Sequence, residues 1–275
     1  MTIQEIIKIL TDSGIEQSEA NVEIKMLLEH FANYGTKDII MGNKLTSEKL
    51  EIIKEKAELR AKTRQPIQHI IGFANFMDEK FIVNPSVLIP RDETEILVRK
   101  AIEIINKNNF KIALDVGTGS GCIACMVAKY TDCQIIGLDI STDALNTALD
   151  NASGLNLFNK AIFRKSDVFS NIKPNENFDI IISNPPYIPK GTKVQKEVEF
   201  DPKSALFTKD DKGLEFYQKI TEGAPKILNE GGYLLFELGI GQAEAVRKII
   251  EQNGFKDIEI IKDFAGIDRV ICSRV

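Results

Sequence analysis

Histidine and cysteine are scarce: His30 and His69, and Cys122, Cys125, Cys133 and Cys272, in 275 residues. The histidines fall in no metal-ligand spacing and have no acid–nucleophile set beside them. Neither metal chemistry nor Ser–His nucleophilic catalysis is supported. Cys122 and Cys125 make one C-x-x-C, but a structural zinc site needs a second pair at fixed spacing, and none follows. A redox pair would sit at an exposed helix start; the expectation here is small buried hydrophobes on a core helix. No apolar run is long enough to span a bilayer, so no membrane partner is expected. The start, Met1-Thr2-Ile3-Gln4-Glu5, lacks the charged and apolar blocks of a secretory signal, which makes the cytoplasm the expected location. Positive charge is not in excess either. The net charge is −5, so no direct nucleic-acid partner is expected. Internal repeats and low-complexity tails are also missing.

What is present is an ordinary globular composition, 43% hydrophobic and 27% charged, with enough length for a large core and a small companion. The first stretch, 1–64, reads as helices. Thr2 and Glu5 form a capping box ahead of Ile3, Ile6, Ile7 and Leu10. Ser18 is expected to start a second helix carrying Val22, Met26 and Leu27. Ser47 is expected to cap a third carrying Leu50, Ile53 and Ala57, and Gly14, Gly35 and Gly42 punctuate the run. The segment 65–90, with Gly72, Pro85 and Pro90, reads as a strand pair or hairpin linking two domains. From 91 to 275 helices alternate with short apolar runs at 112–116, 134–139, 161–164, 178–183 and 233–238. That alternation predicts an α/β domain with a doubly wound, mostly parallel sheet covered on both faces. Two terminal runs, 258–264 and 269–273, form a hairpin that makes one strand antiparallel.

Two motifs carry chemistry. The first strand enters Gly117-Thr118-Gly119-Ser120-Gly121, a G-x-G-x-G turn. The dinucleotide fingerprint is G-x-G-x-x-G, so the turn argues for a nucleoside ligand other than a nicotinamide dinucleotide. About 20 residues on, Asp139 ends the second strand, where an acceptor-only carboxylate can take both ribose hydroxyls. Asp139 could instead cap the next helix, a task open also to Ser141 or Thr142. After the third strand Asp167 can accept from an adenine amino group, and Val168 can cover a ring face or simply fill the core. The most specific feature is Asn184-Pro185-Pro186-Tyr187 after the fourth strand. Two prolines stiffen this turn and donate no amide hydrogen. The side-chain carbonyl of Asn184 and the backbone carbonyl of Pro185 can then accept both hydrogens of a planar NH2 group and present its nitrogen for methylation. Tyr187 can stack on the flat group.

These residues resemble the class I S-adenosylmethionine methyltransferases. Over almost its full length the chain resembles the peptide-chain release-factor glutamine methyltransferases, the HemK/PrmC family. The resemblance rests on Gln65-Pro66 with Gly72, Leu88-Ile89-Pro90-Arg91-x-Glu93-Thr94-Glu95, the glycine turn, Asp139 and Asn184 to Pro189. It extends to Glu199-Phe200-Asp201-Pro202, Gly213-Leu214-x-Phe216-Tyr217 and Asp263-x-Ala265-Gly266-x-Asp268-Arg269. It departs from the family pattern at Asp92, where Pro is common, and at Val168, where a larger apolar group is common. The resemblance implies a Rossmann-like catalytic domain (91–275), a helical substrate-recognition domain (1–64) and a hairpin linker (65–90). It implies S-adenosylmethionine as cofactor, with S-adenosylhomocysteine as product. The substrate it implies is the glutamine of the Gly-Gly-Gln motif of class 1 release factors. In that picture Gly117, Thr118, Gly119, Ser120, Gly121, Asp139, Asp167, Val168 and Asn184 meet the cofactor. Asn184, Pro185, Pro186 and Tyr187 hold the glutamine. A rival reading from the same turn is an adenine amino methyltransferase acting on DNA or RNA, which would need a substantial basic target-reading region.

Overall fold

The computed structural model describes residues 2–275, except the side chain of Ile39; Met1, part of the expected start, lies outside the described residues. The chain divides into two compact units. One runs to Phe73 and takes in Val194–Phe200; the other comprises Ala74–Lys193 and Asp201–Val275.

The first unit is helical: α1 Ile3–Asp12, α2 Gln17–Ala32, α3 Thr36–Met41, α4 Ser47–Thr63 and α5 Ile67–Ile71. Thr2 and Glu5 close the expected capping box on α1. The later caps differ from expectation. Thr46, not Ser47, accepts from Lys49 at the start of α4, and α2 begins at Gln17 without a side-chain cap. Val22 points outward, while Ala20, Ile24, Leu27 and Leu28 are buried. The i, i+4, i+7 stripe of α2 is therefore rotated from the one expected. These residues pack with Ile6, Leu10, Ile53 and Ala57 in one core.

Also inside this unit is the Arg60 side chain, 1% exposed. Its Nε donates to Glu23 at 2.9 Å, its Nη1 to Glu197 at 3.0 Å and its Nη2 to Glu19 at 3.3 Å. A buried guanidinium persists only when its donors are met.

The stretch 65–90, expected as one linker, is divided. Ile67 and Ile71 of α5 pack in the helical core. Strands β1 Phe73–Phe76 and β2 Glu79–Ile82 form a hairpin, and Phe76 and Phe81 are buried in the core of the second unit.

The second unit continues with α6 Asp92–Asn108, β3 Ile112–Val116, α7 Cys122–Tyr130, β4 Gln134–Asp139, α8 Thr142–Gly154, β5 Ala161–Lys165 and β6 Phe178–Ser183. It ends with α9 Lys203–Leu206, α10 Glu215–Gly223, β7 Leu228–Glu237, α11 Ala243–Gln252, β8 Lys256–Lys262 and β9 Asp268–Arg274. Seven strands make one sheet in the order β5-β4-β3-β6-β7-β9-β8. As expected, the sheet is mostly parallel and one strand, β9, runs antiparallel to both neighbours. Side chains alternate between two cores with the strand period of two. Ala113, Ile135, Ile180, Ile182 and Leu235 face α6 and α7, and Leu114, Ile136, Ile181, Leu234 and Phe236 face α10 and α11. Cys122 and Cys125 are buried on α7, and burial raises both thiols above the ordinary range. The strand order reverses between β3 and β6. Loops on the two sides of that reversal diverge and leave a crevice at the carboxyl ends of the strands.

Candidate functional site

The crevice is a cavity of about 300 Å³. Every parallel strand from β3 to β6 ends on it. β3 contributes Val116, Gly117 and Gly119; β4 contributes Leu138 and Asp139; β5 leads to Ser166, Asp167 and Val168; β6 contributes Ser183, Asn184, Pro185 and Pro186. Ser86, Val87 and Leu88 close one side, and Pro202, Ser204, Ala205 and Phe207 another.

Gly117 and Gly119 have φ of +77° and +54°, a region that side chains strain to adopt, and a Cβ at either would project into open space. Together they make a cradle that any side chain would fill. Thr118, Ser120 and Gly121 stand behind the wall. Thr118 and Ser120 are buried, and Thr118 donates to Asp115 at 2.6 Å. The residue after the motif's last glycine opens α7, which draws Gly121 against Ala148 instead of toward the cavity.

Asp139 sits at the rim. Its Oδ2 accepts from the Gly119 N–H and its Oδ1 from the Ser141 N–H, both at 2.9 Å. The helix-capping task falls to Ser141, whose hydroxyl accepts from Ala144. Burial lifts the Asp139 carboxyl above its usual range, against the pull of those two N–H groups. Each oxygen keeps a lone pair for a further donor. Val168 lies on the wall with φ +49°, an outlier for a β-branched residue. Its carbonyl is held by the Ser166 hydroxyl at 2.8 Å. Strain kept at a cavity wall marks a position where the surroundings over-determine the backbone.

Asn184 is half-buried and Pro185 buried. Among the described residues no hydrogen bond reaches the backbone carbonyls of Asn184 or Pro185. Beyond the diproline the chain is pinned by Ile188, whose N–H donates to Leu206 and whose carbonyl accepts from Thr208. Tyr187 is not part of the wall. Its ring packs toward the α10–α11 core, its carbonyl accepts from Gln242 at 3.0 Å, and burial pushes its phenol up to about 12.

Behind Asn184 stand residues whose place in the site the linear order does not reveal. Glu237, last in β7 and 3% exposed, accepts the Thr94 hydroxyl at 2.6 Å, and Thr94 accepts from Asn184 Nδ2 at 3.2 Å. Burial pushes the Glu237 carboxyl up to about 7. The detectable signal was an acid inside the apolar run Leu234–Leu238. Asp201, buried, accepts from the Ile89 N–H at 3.3 Å and from Arg91 at 2.8 Å. It anchors the segment that follows the Ser86–Leu88 wall. Asp115, fully buried, is likewise pushed up to about 7, chiefly by burial.

Against known proteins, residues 2–72 match the PrmC N-terminal domain and residues 92–201 the Methyltransferase small domain. The chain is 39% identical to a release factor glutamine methyltransferase of Neisseria gonorrhoeae, over 90% of this chain and 91% of that one. It is 37% identical to the protein of that name from Geobacter sulfurreducens, over 97% and 93%. Among solved structures it is similar to a methyltransferase from Pyrococcus furiosus, at 21% identity and a TM-score of 0.53, over 72% of this chain and 90% of that one.

Proposed function

We infer the reaction from a premise: this chain belongs to the release factor glutamine methyltransferase family. It transfers a methyl group from S-adenosylmethionine to the side-chain amide nitrogen of the glutamine in the Gly-Gly-Gln motif of class 1 peptide-chain release factors, leaving S-adenosylhomocysteine. The observation that carries this reading is the convergence of the Gly117–Gly119 cradle, Asp139 and the Asn184–Pro185 carbonyls on one cavity.

The donor set suits the cofactor. The free lone pairs of Asp139 take the two ribose hydroxyls, while Gly119 and Ser141 hold the carboxylate still. The side-chain-free cradle at Gly117 and Gly119 admits a ligand against the backbone. Asp167 would accept from the adenine amino group, and Val168 would cover one ring face. When bound, the cofactor supplies an electrophilic methyl group. The chain's own residues do the rest. Asn184 Oδ1 and the Pro185 carbonyl accept the two amide hydrogens of the substrate, turning its nitrogen toward that methyl. Neutral acceptors do this without a carboxylate beside a nitrogen that becomes partly positive. Pro186 keeps the bend rigid. Tyr187, whose ring packs toward the α10–α11 core, braces the bend through the bond its carbonyl accepts from Gln242. Holding the reactants in line can contribute about 7–11 kcal/mol in the best cases. The amide proton leaves to water.

The helical unit serves in gripping the release factor, and the reaction belongs to the cytoplasm. Among the described residues no helix is long and apolar enough to cross a membrane. Adenine amino methylation of nucleic acid is the second reading of the same turn; the net charge of −5 and the relatives' names disfavour it. The test is transfer of labelled methyl to purified release factor, to a version with the glutamine replaced, and to nucleic acid. Label is expected on the first only, and label on nucleic acid alone rejects the proposal.

A further inference from the structure

We propose that Glu237, acting through Thr94, sets which way the Asn184 side-chain amide faces, and is thereby a positioning residue for methyl transfer. The inference rests on the functional reading above, because it concerns what makes Asn184 an acceptor toward substrate.

The two ends of an asparagine amide are nearly the same size, so shape does not distinguish them. Their hydrogen-bond polarity is opposite: Oδ1 accepts and Nδ2 donates. Only Oδ1 toward the cavity meets a substrate NH2; Nδ2 there would set donor against donor. Something behind Asn184 must therefore read as acceptor only. Thr94 alone cannot, since a hydroxyl both donates and accepts. Glu237 removes the ambiguity. Its carboxylate takes the single Thr94 proton at 2.6 Å, leaving Thr94 Oγ1 only lone pairs to offer, and Asn184 answers with Nδ2 at 3.2 Å. The partner behind the amide thus calls for its NH2.

A carboxylate sealed from solvent is costly, so its retention needs a use. The charged and titratable groups around it are Glu93 on α6, Arg269 on β9, Tyr187, Tyr217 on α10 and Cys122 on α7. Arg269 is shared with Glu93 at 3.2 Å and Asp263 at 2.8 Å. A protonated Glu237 could donate to Thr94, and the polarity of the relay would reverse. Its carboxyl is pushed up to about 7, so this reversal falls within a testable range.

The experiment is single-turnover transfer to release factor at saturating cofactor, across pH, for the wild type, Thr94→Val, Thr94→Ser and Glu237→Gln. Thr94→Val and Glu237→Gln should slow the step roughly 10- to 100-fold, the scale of a misplaced reacting group. Their cofactor Kd by equilibrium dialysis should stay within about threefold. Thr94→Ser, which keeps the hydroxyl, should restore most of the loss. The wild-type rate should climb through about pH 7, and Glu237→Gln should be flat. Wild-type rates in Thr94→Val and Glu237→Gln, losses that track cofactor affinity, or an unchanged pH profile overturn the proposal. If the wild type itself does not methylate release factor, the functional reading fails. The orientation is then decided by NMR of the Asn184 side-chain amide. Its hydrogens should exchange with water about tenfold faster in both variants than in the wild type, through loss of a buried bond. Equal exchange overturns the inference.

Discussion

Asp139 allows the sharpest quantitative test of the proposed cofactor site. Each carboxylate oxygen already accepts one backbone N–H at 2.9 Å, and one lone pair per oxygen remains. Two ribose hydroxyls can therefore make two charge-assisted bonds, each contributing about 1.5–3 kcal/mol. The folded protein already bears the desolvation of this carboxyl, as its raised pKa records, so little further desolvation opposes binding. Asp139→Ala should then weaken cofactor binding by about 3 kcal/mol or more, which is roughly 100-fold or greater in Kd. Asp139→Asn keeps one acceptor but turns an NH2 toward either the Gly119 or the Ser141 N–H. It should fall between Ala and the wild type, at about tenfold. Isothermal titration calorimetry measures both, and single-turnover rates at saturating cofactor should be nearly normal once the site is filled. A Kd changed less than about threefold in Asp139→Ala, together with a transfer rate down more than about tenfold, would refute the reasoning.

Other outcomes follow from the same geometry. Asn184→Ala should lower the transfer step by roughly 100-fold with cofactor Kd little changed, because on the proposed reading it removes an acceptor for the substrate amide; quench-flow kinetics beside calorimetry would show the reverse if the role were cofactor binding. Arg60→Met strands the Glu23 carboxylate, 5% exposed, and should cost about 3–5 kcal/mol in urea unfolding of the helical unit. Arg60→Met with Glu23→Leu should recover most of that, and equal costs for single and double variants would show that the charge is not the cause. Glu237 and Asp115 are both raised from the ordinary carboxylate range to about 7. Their folded forms hold protons that the unfolded chain releases, so their contribution to stability is complete below the ordinary range and is lost as pH rises through about 7. At about 1.4 kcal/mol per unit, the decline amounts to a few kcal/mol for the pair. Denaturant midpoints for the second unit should fall between about pH 5 and about pH 8.5, and a rise over that window would contradict the assignment.

The α/β alternation, the strand runs and the place of the two motifs were legible in the sequence because they depend on neighbours close along the chain. Apolar periodicity of two or near 3.6 reports which face is buried, and Gly117, Gly119 and the diproline restrict backbone angles where they stand. The β1–β2 hairpin was harder to place. Its two-residue turn is Met77-Asp78, both at positive φ, where Asn-Gly or Asp-Gly would have been the recognisable signal. Helix α5 is only five residues long, too short for periodicity to register. The cap at Thr46 and the start of α2 at Gln17 each lie one residue before the expected serine, because adjacent Thr46 and Ser47 offer nearly equal caps and α2 starts with no side-chain cap to mark its first turn.

Which members of a motif line the cavity was a different matter. Thr118 and Ser120 alternate with the cradle glycines and turn inward, while Tyr187 is drawn to the opposite core. Glu237 and Thr94 lie 143 residues apart and meet through one hydrogen bond. By itself the sequence determined the alternation of strands and helices in the second unit and the chemistry that the glycine turn and Asn184 could perform. Only the tertiary structure decided which side chains share the cavity and which polar groups stand behind them. Those pairings depend on packing between elements distant along the chain, and local periodicity carries no record of it.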